Sequence, residues 1–221
     1  MREILFIDKP KGVTSFDVIR RLRRRFHELE PDKAVPKMGH AGTLDPLATG
    51  LIIIGLNEGT KKLDQYLKLP KRYTVEILLG ESRTTGDMEG EIVEQKEVVE
   101  LDEATVEQVM RDIQTTLMLP VPKYSAIKVE GEKLYEKARE GEEFVPPVRP
   151  MRVYRAKLLS LRRDRKKSTI TAELEVESGV YIRSVAEEIG RRLGYPAVTY
   201  NLRRTKIGTV QVDDAQKLED I

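Results

Sequence analysis

Cysteine is absent from the 221 residues of this chain. That excludes disulfides and thiolate-held metals, and it is compatible with a reducing cytoplasm. Histidine is scarce, with only His27 and His40, which argues against a His-rich metal site. Long hydrophobic runs are missing too. The clearest apolar stretch, Leu51 to Ile54, falls far short of the roughly 20 residues a membrane-spanning helix needs. The first residues, Met1 to Asp8, carry acids and lack a signal-peptide pattern, so no membrane association and a cytoplasmic location are expected. There is no large excess of either charge: 39 Lys and Arg face 37 Asp and Glu, a net charge of +2. Internal repeats and low-complexity linkers are absent as well. The length suits one large domain or two small ones, each able to bury a core.

What is present is segregated charge. Arg20, Arg21, Arg23, Arg24 and Arg25 cluster, as do Arg162, Arg163, Arg165, Lys166 and Lys167, and again Arg203, Arg204 and Lys206. Acids collect between Asp87 and Glu103. Any one cluster reads most simply as a solvated helix face or hairpin tip. Together they can give a nearly neutral protein a basic face.

Periodicity outlines the elements. Glu3 to Asp8 reads as a strand. Thr14 to Asp17 fits a capping box opening a helix, with Val18, Leu22, Phe26 and Leu29 on one face. Leu51 to Ile54 is a short buried strand, and Arg72 to Gly80 alternates as another. The spacing predicts a helix over Asp102 to Leu117, a strand over Lys123 to Lys128 and a helix over Glu132 to Glu140. Arg152 to Leu161 and Ser168 to Glu177 form a hairpin with Asp164 to Lys167 at its tip. A helix follows over Ser184 to Leu193, and a short terminal one over Val212 to Ile221. Hairpins with helices between them predict an α+β fold with a mixed, mostly antiparallel sheet.

Gly39-His40-Ala41-Gly42-Thr43-Leu44-Asp45-Pro46-Leu47-Ala48-Thr49-Gly50 stands out. Glycines permit backbone shapes that other residues forbid, and Pro46 confines Asp45 to extended or turn conformations. A carboxylate would thus be presented from a stiff bend feeding a buried strand. An ordinary turn gives the same pattern. A lone histidine such as His40 is most often without chemistry, and an aromatic in a strand, such as Tyr73, most often core.

These residues resemble the catalytic loop of the TruB family of pseudouridine synthases, which isomerise a uridine in the T loop of tRNA. Other blocks resemble the family along essentially the whole chain: Lys9 to Ser15, Lys71 to Gly80, Pro122 to Gly141, Gly179 to Arg183, and Thr199 to Gly208. The resemblance implies the pseudouridine synthase fold with a central catalytic cleft and a single catalytic domain over residues 1–221. No separate C-terminal RNA-binding domain of the PUA type is evident, although most bacterial relatives carry one.

For the site, the resemblance makes Asp45 the catalytic residue and Tyr73 the base-stacking, proton-handling one. Arg183 becomes the partner that keeps Asp45 ionised in a two-pronged grip. His40, Lys9, Lys128, Leu202, Arg203 and Arg204 are implied as RNA-binding or pocket residues. The chain departs from the family pattern at Arg83-Thr84, where a Thr-Asp pair is more usual, while Asp87 still matches. The implied reaction converts uridine 55 of tRNA to pseudouridine on a flipped-out base, without metal or organic cofactor, in a monomer that binds the T-arm. Two other readings use the same residues: a non-catalytic RNA-binding or RNA-folding module, and a hydrolase that releases uracil.

Overall fold

A computed structural model of the chain describes residues 3–99, 101–125, 127–129, 131–164 and 166–220; the side chains of Lys128, Lys133 and Arg139 lie outside that description. In chain order the elements are β1 (Ile4–Lys9), α1 (Ser15–Leu29), β2 (Met38–His40), β3 (Thr49–Leu56), α2 (Leu63–Leu67) and β4 (Lys71–Leu79). Then come β5 (Glu81–Arg83), β6 (Ile92–Gln95), α3 (Glu103–Asp112), β7 (Thr116–Pro120), β8 (Lys128–Val129), β9 (Glu132–Lys133) and α4 (Leu134–Arg139). The chain closes with β10 (Val148–Asp164), β11 (Lys167–Val176), α5 (Ile182–Leu193), β12 (Ala197–Ile207), β13 (Val210–Gln211) and β14 (Gln216–Lys217). It packs as two compact units, Met1–Thr74 with Asn201–Ile221, and Val75–Tyr200. The fold is α+β with mixed, mostly antiparallel strand pairing; β1 with β14 and β3 with β12 pair in parallel.

The first unit is built around β3. A strand covered on one side alternates apolar with polar, whereas one covered on both sides reads as a continuous apolar run. Leu51 to Ile54 are fully buried because both faces are covered. Ile52 and Ile54 pack with Val18, Ile19 and Leu22 of α1. Leu51 and Ile53 pack on the opposite side with Leu63 of α2 and Ile207 of β12. The capping box expected at α1 is present: Asp17 N donates to Thr14 Oγ1 at 3.0 Å, and Thr14 N donates to Asp17 Oδ2 at 2.8 Å. Helix α1 buries Val18, Ile19 and Leu22, half-buries Phe26 and leaves its arginines outside, while Leu29, expected on the same face, is 63% exposed.

In the second unit β10 and β11 form the long hairpin read from the sequence, with its tip between Asp164 and Lys167. The buried face of β11 carries Ile170, Ala172, Leu174 and Val176. Helix α3 packs on β10 and α5, and α5 packs on β7.

Three expected elements differ from the structure. The helix expected to Leu117 ends at Asp112, and Thr116 to Pro120 is β7, paired antiparallel with β10. Leu117 and Leu119 are buried there while Met118 is exposed, a two-residue period that the helical reading of Leu117 concealed. The strand expected over Lys123 to Lys128 is a series of bends at 123–125 that reaches only the two-residue β8; Ala126 lies outside the described residues. The terminal helix is two three-residue 3-10 turns flanking β14, which pairs in parallel with β1.

Candidate active site

The glycine-rich loop is held almost wholly by backbone. His40 ends β2 opposite Ile54 of β3, and Ala41 N donates to Ile53 O at 2.9 Å. Three residues on, Ser15 of α1 grips the chain just before Asp45. Leu44 N donates to Ser15 Oγ at 2.8 Å, and Ser15 Oγ donates to Leu44 O at 3.1 Å. Asp45 then opens a four-residue turn closed by Ala48 N on Asp45 O at 3.1 Å, with Pro46 at the position where a fixed φ favours turning. Pro46 O accepts from Gly12 N at 2.8 Å and from the Lys9 ammonium at 3.5 Å. Lys9 is fully buried and also donates to Val13 O at 2.7 Å and Pro10 O at 3.1 Å. Asp45, half-buried, is therefore mounted on a turn braced from both flanks.

Two adjacent arginines of β12 have different surroundings. Arg204 is 2% exposed; its Nε donates to Leu51 O at 2.8 Å and its Nη2 to Gly42 O at 3.1 Å. It ties the front of the loop to the strand behind it. Gly50 makes this approach feasible. It has φ +101°, and a Cβ there would lie 2.3 Å from Arg204 O. Arg203 points the other way and makes a bidentate pair with Asp8 at 3.0 and 2.7 Å. Arg204 thus has the geometry of a loop brace rather than a phosphate contact, and Lys9 likewise. Leu202, between Asn201 and these arginines, is 9% exposed and lines the packed side of β12.

His40 has an enclosed Nδ1 with no hydrogen-bond partner in the protein. Burial, then the Arg204 charge, pushes its pKa below the ordinary histidine value, so the ring is neutral at pH 7. It borders a cavity of about 410 Å3 that Lys37, Thr60, Lys61, Asp64 and Leu67 also line. Tyr73 lies on the buried face of β4, two residues after Lys71, and is 8% exposed. Among the described residues its hydroxyl makes no hydrogen bond within the protein. It is also not among the enclosed unpartnered atoms, so the phenol's polar end reaches solvent.

Ser15 belongs to the Lys9 to Ser15 block, which the resemblance sets beside this loop, whereas Lys71 is a further buried cation. Lys71, 5% exposed, donates to Leu69 O at 2.7 Å and Tyr66 O at 3.4 Å, and also to Leu67 O. These are the last carbonyls of α2 and the turn after it. Burial, then Arg204, lowers its pKa to about 8. The signal was the alternation of β4, which puts residue 71 on the same face as Tyr73, Val75 and Ile77.

In the second unit Arg183, near the start of α5, is 5% exposed. It donates to Thr85 O at 2.8 Å and to Tyr124 O at 3.0 Å, and lies 3.7 Å from Asp87 Oδ2. Asp87, 3% exposed, accepts from Glu89 N at 3.1 Å and from the Thr85 hydroxyl. Arg83, at the departure from the family pattern, donates to Glu81 at 2.8 Å and to the carbonyls of Met88 and Gly90 at 3.3 and 3.1 Å. It braces its own loop. Lys128 lies in β8, and its side chain is outside what the structure describes.

Among the described residues no group of three or more His, Cys, Asp or Glu is arranged to hold a metal. No described helix is long and apolar enough to cross a membrane. Asp45, Tyr73 and His40 all lie in the first unit, and a carboxylate, a phenol and an imidazole are groups able to serve nucleophilic or proton-transfer chemistry.

The chain is 37% identical over 221 residues to tRNA pseudouridine synthase B of Corynebacterium diphtheriae, covering 99% of this chain and 71% of that protein. It is 37% identical over 218 residues to the protein of the same name from Mycobacterium tuberculosis. The fold matches that in the crystal structure of a Cbf5-Nop10-Gar1 complex with a TM-score of 0.69 at 24% identity, over 98% of this chain. The chain spans about half, 52%, of the length of that solved chain. Residues 28–182 match the model of the TruB family pseudouridylate synthase N-terminal domain, and the chain belongs to this family.

Proposed function

We propose that this pseudouridine synthase isomerises the uridine at position 55 in the T loop of tRNA, with Asp45 as nucleophile. The observation that carries the reading is the Asp45–Ala48 turn, clamped by Ser15, Gly12 and Lys9, which presents a half-buried carboxylate from a fixed backbone. Relatives at 37% identity are named tRNA pseudouridine synthase B, which supports tRNA as the substrate. Both units act as one catalytic domain in this reading, in the cytoplasm and as a monomer.

The reaction exchanges a carbon–nitrogen for a carbon–carbon glycosidic bond. The target base leaves the T-loop stack, at a cost of a few kcal/mol offset by stacking and pocket contacts. Asp45 adds to C6 of the uracil or engages C1′ of the ribose. The C1′–N1 bond breaks, the base turns while held, and C5 bonds to C1′; the C5 hydrogen then leaves as a proton, N1 takes up a proton, and the bond to Asp45 breaks to restore the carboxylate. No oxidant, reductant or external nucleophile is consumed. Tyr73 offers a ring for stacking and a phenol oxygen for the proton, and Leu202 keeps water away. The resemblance gives Arg183 the part of Asp45's partner, while its described contacts are Thr85 O, Tyr124 O and Asp87 of its own unit. His40 supports the opened loop as a neutral ring. Lys37 lines the same cavity as His40 and supplies a positive charge for a phosphate there.

The test uses tRNA transcript tritiated at C5 of uridine. Wild type is expected to release tritium to water from position 55, and Asp45→Asn to release none while still binding tRNA. Full release by Asp45→Asn would remove the nucleophile assignment. Release mapped to another uridine would remove the position.

A further inference from the structure

Helix α1 starts at the catalytic loop, because its first residue, Ser15, holds both backbone groups of Leu44. From there the sequence runs through Arg20, Arg21, Arg23, Arg24 and Arg25, all exposed. At 1.5 Å per residue these side chains leave the helix about 8 to 15 Å along its axis from Ser15.

Their partners are uneven. Arg20 pairs with Asp17, and Arg25 lies 3.5 Å from Glu28. Among the described residues Arg21, Arg23 and Arg24 have no ion-pair or hydrogen-bond partner. Positions 21, 24, 25 and 28 fall on one stripe of the helix. There Arg21, Arg24 and Arg25, with Leu22, Glu28 and Leu218 of the terminal turn, line a notch of about 170 Å3. Among the described lining residues there are three guanidinium groups and one carboxylate, a surplus of positive charge that Arg21 and Arg24 carry. Four like-charge pairs at helical spacing (20 with 23, 20 with 24, 21 with 24 and 21 with 25) weaken the isolated helix. Guanidinium is also the cation whose planar fork matches a phosphate in a bidentate fashion.

From this we infer that the arginine stripe of α1 is a second RNA-binding surface, with the Arg21–Arg24–Arg25 notch as a subsite for a backbone phosphodiester of RNA engaged at the catalytic loop. The inference rests on the RNA-substrate reading above and adds a contact surface away from the reacting base. Its contribution is to affinity and its salt dependence, because phosphate contacts position RNA without reading sequence.

The experiment measures binding of full tRNA and of a T-arm minihelix across a salt series. It compares wild type, Arg21→Gln with Arg24→Gln, and Arg21→Lys with Arg24→Lys. Circular dichroism and melting verify that each variant is folded. The Gln pair is expected to bind about tenfold more weakly near 0.1 M salt, with a log–log salt slope shallower by about 1 to 2. The rate at saturating tRNA stays unchanged. The Lys pair recovers the slope, because charge is restored. An effect with tRNA but not the minihelix places the contacted phosphate outside the T-arm and still supports the subsite. Unchanged affinity and slope in a folded Gln pair overturn it, and would leave the stripe to an anionic partner other than RNA. Binding needs no turnover, so the two readings separate. A wild type that binds tRNA through these arginines yet releases no tritium would overturn the Asp45 chemistry and leave the subsite standing.

Discussion

Two arginine-rich stretches that look alike in sequence have opposite fates. Arg203 and Arg204 are neighbours in a strand, where consecutive side chains point to opposite faces. One is therefore buried against the glycine-rich loop and the other half-exposed beside Asp8. Arg20 to Arg25 lie in a helix, where a single buried stripe takes Leu22 and leaves the rest outside. A run of basic residues thus carries no fixed meaning until the period of its element is known. In a strand it splits into brace and surface; in a helix it becomes a surface.

The strongest way to break this comparison is to remove the buried member. Arg204→Met keeps length but orphans Leu51 O and Gly42 O, and unsatisfied buried carbonyls cost about 1 to 3 kcal/mol each. Loss of the charge relieves Lys71 and His40, which lie in its field. The expected net loss is about 3 to 4 kcal/mol, or on the order of 10 °C in melting temperature. The same variant should raise the His40 pKa, which NMR titration reads directly. An unchanged melting temperature and an unchanged His40 titration would show that Arg204 braces nothing.

A second buried cation sharpens the contrast through pH. The Lys71 pKa is lowered to about 8, while an unfolded lysine titrates near 10.4. Between those values the unfolded chain holds more protons than the native one, so stability rises with pH across that window. Conversely, the native state bears the cost of a buried charge below pH 8. Relative to Lys71→Met, wild type should gain roughly 2 to 3 kcal/mol between pH 7.5 and 10.5 in denaturant midpoints. A difference between the two that does not change with pH would show that this ammonium is not penalised by burial.

These braces mark where sequence reading stops. The capping box, the doubly covered β3 and the β10–β11 hairpin follow from local pattern, because each is decided by period and by turn chemistry. The resemblance sets the Lys9 to Ser15 block beside the Asp45 loop, yet it does not say which atoms meet. Ser15 reaches Leu44 across 29 positions, and Arg204 reaches Gly42 across 162. No periodicity encodes such pairs. Helix α3 was overextended because Leu117, buried in β7, also satisfies a helical spacing from Ile113. The terminal segment was misread because its partner is β1, at the far end of the sequence.

The smallest effect belongs to the exposed neighbour. Arg203 reaches over β3 to Asp8 of β1 in a bidentate pair, with a side chain 41% exposed. Water competes for both partners, so the pair contributes about 1 kcal/mol or less despite its favourable geometry. A double-mutant cycle of Arg203→Ala and Asp8→Ala should give a coupling of that size, shrinking as salt is raised. The residue next to it in sequence, with one more face covered, is expected to be worth several times as much. If Arg203→Ala costs as much as Arg204→Met, exposure is not what separates the two, and the comparison between strand faces fails at the pair where it is clearest.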